Sequence, residues 1–251
     1  MVDSFDNFLF AGCSHTFGSE IFYPESLGDR NVEMNAAFGA ELSKRLNKNY
    51  YNISQPGVGN QYIARSLLFW LLNNKDKIKD TFVIIHWTGE NRIDFSYERV
   101  DNEPMIKASK YYNAYDTEQV CVLPDSWNGQ FPSRCGRAMK LLQKAMLLDL
   151  DTRVWQQVDK FATVLMMQEL LKSMEVQYLF FNSYDCLENV DRYKVYTEQI
   201  DTTKFIDPYE IGGGFYERVI NAGYTSNARF NHHQKAGHDW YANWLLENFF
   251  T

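Results

Sequence analysis

The chain has 251 residues, 45% of them hydrophobic and 16% aromatic, with a formal net charge of −7. That is enough apolar material for one large core, and the acidic balance argues against a general nucleic-acid or anionic-membrane partner. Cysteines at 13, 121, 135 and 186 form no Cys-x-x-Cys pair, so they read as reduced thiols of a cytoplasmic protein. No basic region precedes an apolar run at the start, so no signal peptide is expected. Apolar stretches such as Leu67–Leu72 are too short to span a bilayer.

Asn7–Gly12 reads as a first strand, and Met34–Asn47 as a helix with Ala37, Phe38, Leu42 and Leu46 on one face. Asn49–Ser54 is a second short strand, followed by the turn Pro56-Gly57-Val58-Gly59. Asn60–Asn73 reads as a helix whose inward side carries Ile63, Leu67, Trp70 and Leu71. Thr81–Thr88 is almost continuously apolar, which suits a central strand covered on both faces. From about 95 to 150 the pattern is irregular and aromatic-rich (Tyr111, Tyr112, Tyr115, Trp127, Phe131), with a helix expected from Ala138. Thr152–Met174 is a long helix, Val176–Ser183 a fourth strand, and Gly237–Phe249 a closing helix. Strands alternating with helices predict a three-layer α/β/α sandwich with a central parallel sheet, flavodoxin-like in architecture. The chain is expected to be one domain, 1–251, with an insertion at about 95–150.

In such sheets, sites lie beyond the carboxyl ends of the strands. Ser14, Gly57 and the Thr88–Asn91 turn all follow predicted strands and are expected to gather there. Ser14, in Gly12-Cys13-Ser14-His15-Thr16, is a candidate nucleophile, although serine at a helix start is also a common cap. Gly57 can bring a backbone N–H close to a substrate oxygen, and Asn91 offers an amide donor; both are also ordinary turn residues. Arg92 could bind an anion or serve a structural ion pair. His15 and His86 lie early in the chain, and a strand histidine such as His86 is usually structural. His232 and His233 are candidates for a general base. His238 reads as a structural cap at the start of the closing helix. A metal site built from His232, His238 and distant carboxylates is a separate possibility, but no His-Glu-x-x-His motif is present.

Taken together, these residues resemble the SGNH (GDSL-like) hydrolase family, whose four short blocks all have counterparts here. Gly12-Cys13-Ser14 matches the first block, usually Gly-Asp-Ser. Asn52 and Gly57 match the second, and Gly89-Glu90-Asn91 matches the third, usually Gly-x-Asn-Asp. The last block, Asp-x-x-His-Pro with a following Gly-His and helix, matches at His232 and at Gly237-His238. The first and third blocks also resemble those of SGNH-like proteins of tailed phages.

The resemblance implies Ser14 as nucleophile and His232 as base. It implies an oxyanion hole made by the Ser14 and Gly57 N–H groups and the Asn91 side chain, with no cofactor and no metal. The implied activity is serine esterase or deacylase chemistry on a small-molecule or carbohydrate ester, an O-acetyl carbohydrate being one candidate. The departures are Cys13 for the aspartate beside the nucleophile, Arg92 for that of the third block, and Arg229 where the acid of the triad is expected. Either a Ser–His dyad operates, or another carboxylate substitutes (Asp207 is one candidate), or the fold is kept for binding or structure without catalysis. Whether His232 or His233 faces Ser14 stays open at this level.

Overall fold

Strand β1 (Asn7–Ala11) is buried along its whole length. It pairs in parallel with β2 (Asn49–Asn52) on one side and with β3 (Thr81–Trp87) on the other. The computed structural model describes residues 4–22, 30–89, 93–97, 118–122, 152–184, 190–226 and 232–250. Strands β4 (Ile93–Tyr97) and β5 (Glu118–Val122) form a separate antiparallel pair. Strand β6 (Gln177–Asn182) completes the main sheet, whose order is β2-β1-β3-β6 with every pairing parallel.

Side chains alternate across this sheet as the two-residue repeat of a strand requires. Leu9, Val83, Ile85, Trp87, Tyr178 and Phe180 enter one core, which contains Leu67 and Leu71 of helix α4 (Asn60–Asn73, below). Phe8, Phe10, Phe82, Ile84, Leu179 and Phe181 enter the other, with Phe38, Tyr241 and Leu245. A sheet with both faces covered needs apolar residues at consecutive positions, which is why β1 and β3 carry near-continuous apolar runs.

In chain order the first helices are α1 (Ser14–Phe17), α2 (Arg30–Ala36), α3 (Phe38–Arg45) and α4 (Asn60–Asn73). They are followed by α5 (Thr152–Ser173), α6 (Lys194–Thr197), α7 (Phe215–Asn221) and α8 (Lys235–Phe249). Helices α4 and α5 cover one face of the sheet; α3, α7 and α8 cover the other. The α/β/α sandwich expected from the sequence is therefore the fold. The expected strands and the helices over 60–73, 152–174 and 237–249 are all present, with ends displaced by one or two residues.

The continuous helix expected over 34–47 is corrected. It breaks at Ala37, which is extended (φ −65, ψ 158), and restarts at Phe38. The Phe38 N–H donates to His238 Nδ1 at 3.2 Å. A histidine of α8 thus caps α3 and not its own helix, while the Phe38 ring is fixed between Phe10, Phe215 and Tyr241. The helices α6 and α7, and the short 3-10 turn Val190–Tyr193 before α6, lie where the sequence pattern predicts no element. Of the aromatic-rich segment, the structure describes the β4–β5 pair. Tyr111, Tyr112, Tyr115, Trp127, Phe131 and the helix expected from Ala138 lie outside the described residues.

Candidate active site

The four parallel strands end at Ala11, Asn52, Trp87 and Asn182 on the same edge of the sheet. The chain leaves β1 toward β2 on one side and returns to β3 on the other, so the connection reverses beside β1. That is the place where sheets of this kind open a crevice. Helix α1, with Ser14 as its first residue, stands at this point.

Gly12 makes the turn into α1 feasible. A Cβ there would overlap the Thr16 hydroxyl, and would lie 2.8 Å from Thr16 Cβ and 3.0 Å from His86 Cβ. Thr16 Oγ1 is also held by His86 Nδ1 at 2.7 Å, so it cannot move away without breaking a buried hydrogen bond. Gly12→Ala is therefore expected to cost about 2–3 kcal/mol through overpacking, measurable as a lower urea midpoint with an unchanged m-value.

Hydrogen bonds tie the loops that follow the strands to this turn. Gln55 N–H donates to the Gly12 carbonyl at 3.1 Å. The Asn52 amide donates to the Thr16 carbonyl at 3.2 Å and accepts from Ser54 N–H at 2.9 Å. The loop then reaches Gly57, which is exposed and has φ +77. That φ, in the turn after Pro56, is one that favours glycine. The Asn60 amide grips both backbone groups of Thr88: it donates to the carbonyl at 3.2 Å and accepts from the N–H at 2.9 Å. The end of β3 is thereby fixed beside the start of α4. Asn91 and Arg92, two and three residues beyond the last described position of that turn, lie outside the described residues. Cys13, in place of an aspartate, is buried and meets Ser183 Oγ at 3.0 Å, which ties the turn to the end of β6.

The histidines sort by geometry. His86 is fully buried among Phe38, Phe181 and Phe215, and burial holds its pKa well below the usual histidine value. His238 is buried as α3's cap, and burial, then the neighbouring histidines, lowers it to about 3. His233 is fully buried, its Nε2–H donates to the Tyr216 carbonyl at 3.2 Å, and burial lowers it to about 4. His232 is different. Its side chain is 14% exposed, and its Nδ1 lies 3.2 Å from Glu20 Oε2. Its ring centroid is 5.2 Å from that of His15, the residue after Ser14. His15 Nε2 in turn meets the Tyr184 hydroxyl at 2.8 Å.

Of the sequence-predicted residues, the structure describes Ser14, Gly57 and His232, all at the carboxyl-edge loops. Ser14 is buried at 3% exposure, and among the described residues its Oγ makes no hydrogen bond. The candidate substitute Asp207 is corrected. Its carboxylate is paired with Arg218, whose guanidinium stacks 4.5 Å from the Trp244 ring, whereas His232 Nδ1 meets Glu20. A metal site using His238 is likewise corrected, because its Nδ1 is occupied by the Phe38 N–H. Among the described residues, no group of three or more His, Cys, Asp or Glu side chains could hold a metal ion.

Sequence reasoning missed Glu20. It lies on no predicted element and in none of the four blocks, and no local pattern links it to position 232. A cavity of about 450 Å³ opens beside the Asn52–Gln55 loop, with Phe17, Tyr62, Phe69 and Trp70 among its walls. No helix among the described residues is long and apolar enough to cross a membrane.

No family model and no curated protein matches the sequence. Solved structures do align along most of the chain. One is a protein of Desulfitobacterium hafniense DCB-2 described as lipolytic and of the G-D-S-L family; it is 12% identical over 96% of this chain and 98% of that one, with a TM-score of 0.49. The α/β hydrolase LAE5 from the metagenome of Lake Arreo, Spain, is 13% identical over 98% and 96%, with a TM-score of 0.48. A carbohydrate esterase whose active site displays divergent catalytic and non-catalytic binding functions is 14% identical over 96% and 67%, with a TM-score of 0.42. At these scores the likenesses do not bear on the chemistry of this chain.

Proposed function

We propose that this protein is an SGNH-type serine hydrolase acting on a carboxylic ester. The observation that supports it most is His232, with Nδ1 committed to a carboxylate at 3.2 Å and its ring against that of Ser14's chain neighbour. An imidazole whose Nδ1–H donates to a carboxylate keeps Nε2 free of its proton, ready to accept one from a hydroxyl.

In this reading Ser14 Oγ attacks the ester carbonyl as His232 Nε2 takes its proton. The tetrahedral oxyanion is held by the N–H groups of Ser14 and Gly57 and by the Asn91 amide. The intermediate then collapses, the alcohol leaves with the proton from His232, and water releases the acyl group from Ser14 by the same steps in reverse order. An O-acetylated carbohydrate is the proposed substrate, its sugar face suited to the aromatic-walled cavity of Phe17, Tyr62, Phe69 and Trp70 that opens beside the Asn52–Gln55 loop.

Among the described residues the Ser14 hydroxyl makes no hydrogen bond, which supports a second reading, a binding or structural protein on a hydrolase fold. Treatment with a fluorophosphonate probe, followed by peptide mapping, separates the two. Labelling confined to Ser14, with hydrolysis of acetyl esters, is expected for the hydrolase. No adduct and no turnover of any active ester would leave the binding protein.

A further inference from the structure

We infer that Glu20, from the turn after α1, is the positioning carboxylate of the base, in the place that Arg229 leaves without an acid. The inference rests on the assignment of Ser14 and His232 proposed above.

The observations concern the backbone as well as the side chain. Glu20 has φ 60, a left-handed conformation that residues with a Cβ rarely adopt. Its N–H donates to the carboxylate of Glu33, a buried residue of α2, at 2.9 Å. Backbone strain persists where surrounding contacts over-determine it, and such positions cluster at functional sites. Here the strained backbone turns the carboxylate toward His232 Nδ1, and both side chains are more than four-fifths withdrawn from solvent. Partial burial matters because exposed pairs of this kind contribute little, whereas a screened-off carboxylate can hold an imidazole in one tautomer and stabilise its cation.

Glu20 meets Nδ1 of His232, and the His15 ring of α1 packs against that imidazole. His233 beside it and His238 of α8 are both held neutral by burial near pH 7. Lys235 of α8 is paired with Glu41 and Asp239. The Glu20 carboxylate is a charge in direct contact with the ring.

The test uses Glu20→Gln and Glu20→Asp in the full chain, with two readouts. The first is an NMR titration of the His232 imidazole. Removing an anion in contact favours the neutral ring, so the His232 pKa is expected to fall by about one unit or more in E20Q and to stay near the wild-type value in E20D. The second is the rate at which a fluorophosphonate labels Ser14 as a function of pH. E20Q is expected to label roughly 10²–10⁴-fold more slowly, with the ascending limb of its profile moved to lower pH; E20D is expected to recover part of the rate. An unchanged His232 titration in E20Q would overturn the inference whatever Ser14 does. Unchanged labelling and an unchanged limb would reduce the pair to a structural contact. A His232 titration that shifts in E20Q, alongside a wild-type protein that never labels at Ser14, would instead bring down the hydrolase assignment. If E20Q does not fold, E20D decides alone: its carboxylate is withdrawn by one methylene, so slower labelling with an unmoved limb supports the inference, and a wild-type rate overturns it.

Discussion

Ser14→Ala is expected to lower ester hydrolysis by roughly 10⁴–10⁶-fold, leaving only the residual rate that substrate binding and an oxyanion hole supply. The folded state is expected to be indifferent to the same change. Ser14 is buried, but among the described residues its Oγ makes no hydrogen bond, so alanine strands no partner. The urea midpoint should therefore stay within about 0.5 kcal/mol of wild type. This combination distinguishes a nucleophile from a helix-starting serine kept for structure, whose loss would cost stability and leave turnover alone. Steady-state kinetics on an acetyl ester, with denaturation of the same preparation, reads both. Undiminished turnover would place the chemistry elsewhere in the molecule.

The second large effect is on stability in mild acid. His86, His233 and His238 are buried and neutral, with folded pKa values held well below the usual value, at about 4 for His233 and about 3 for His238. In the unfolded chain each returns to about 6.5. The unfolded state therefore takes up protons that the folded state refuses as soon as the pH drops below about 6.5. The stability these residues contribute is fully present above that pH. It declines by about 1.4 kcal/mol per pH unit for each histidine, until the folded-state pKa is reached. His233 and His238 together amount to about 4 kcal/mol by pH 5, a large part of the stability of an ordinary domain, and His86 acts in the same direction. Urea titrations at pH 7.5, 6.0 and 5.0 should show a steep loss beginning near pH 6.5. A flat dependence across that interval would mean that these imidazoles are not neutral inside the fold.

The layers of this molecule were readable from local pattern alone. Apolar runs in β1, β3 and β6 and the helical spacing of Ile63, Leu67 and Leu71 reflect burial, which is written residue by residue. The break before Phe38 was not readable, since it depends on a hydrogen bond to a histidine 200 positions away. The site divided the same way. Gly12, Ser14 and Gly57 follow strand ends and Asn52 closes β2, and turn chemistry announces them. The partner of His232 was sought three residues upstream, at Arg229, and at Asp207. It lies instead 212 residues earlier, and what aims it is a left-handed backbone angle that a glutamate does not advertise. Helices α6 and α7 are four and seven residues long, too short for a periodicity to register.

That separation of 212 residues between Glu20 and His232 also has a consequence for the newborn chain. Ser14 leaves the ribosome early and β1 can find β2 and β3 while synthesis continues. The imidazole and its carboxylate cannot meet until nearly the whole sheet is made and α8 has docked. On the proposed assignment, a nascent or truncated polypeptide carries an unarmed serine, and hydrolytic competence would arrive only once the segments carrying Glu20 and His232 have come together.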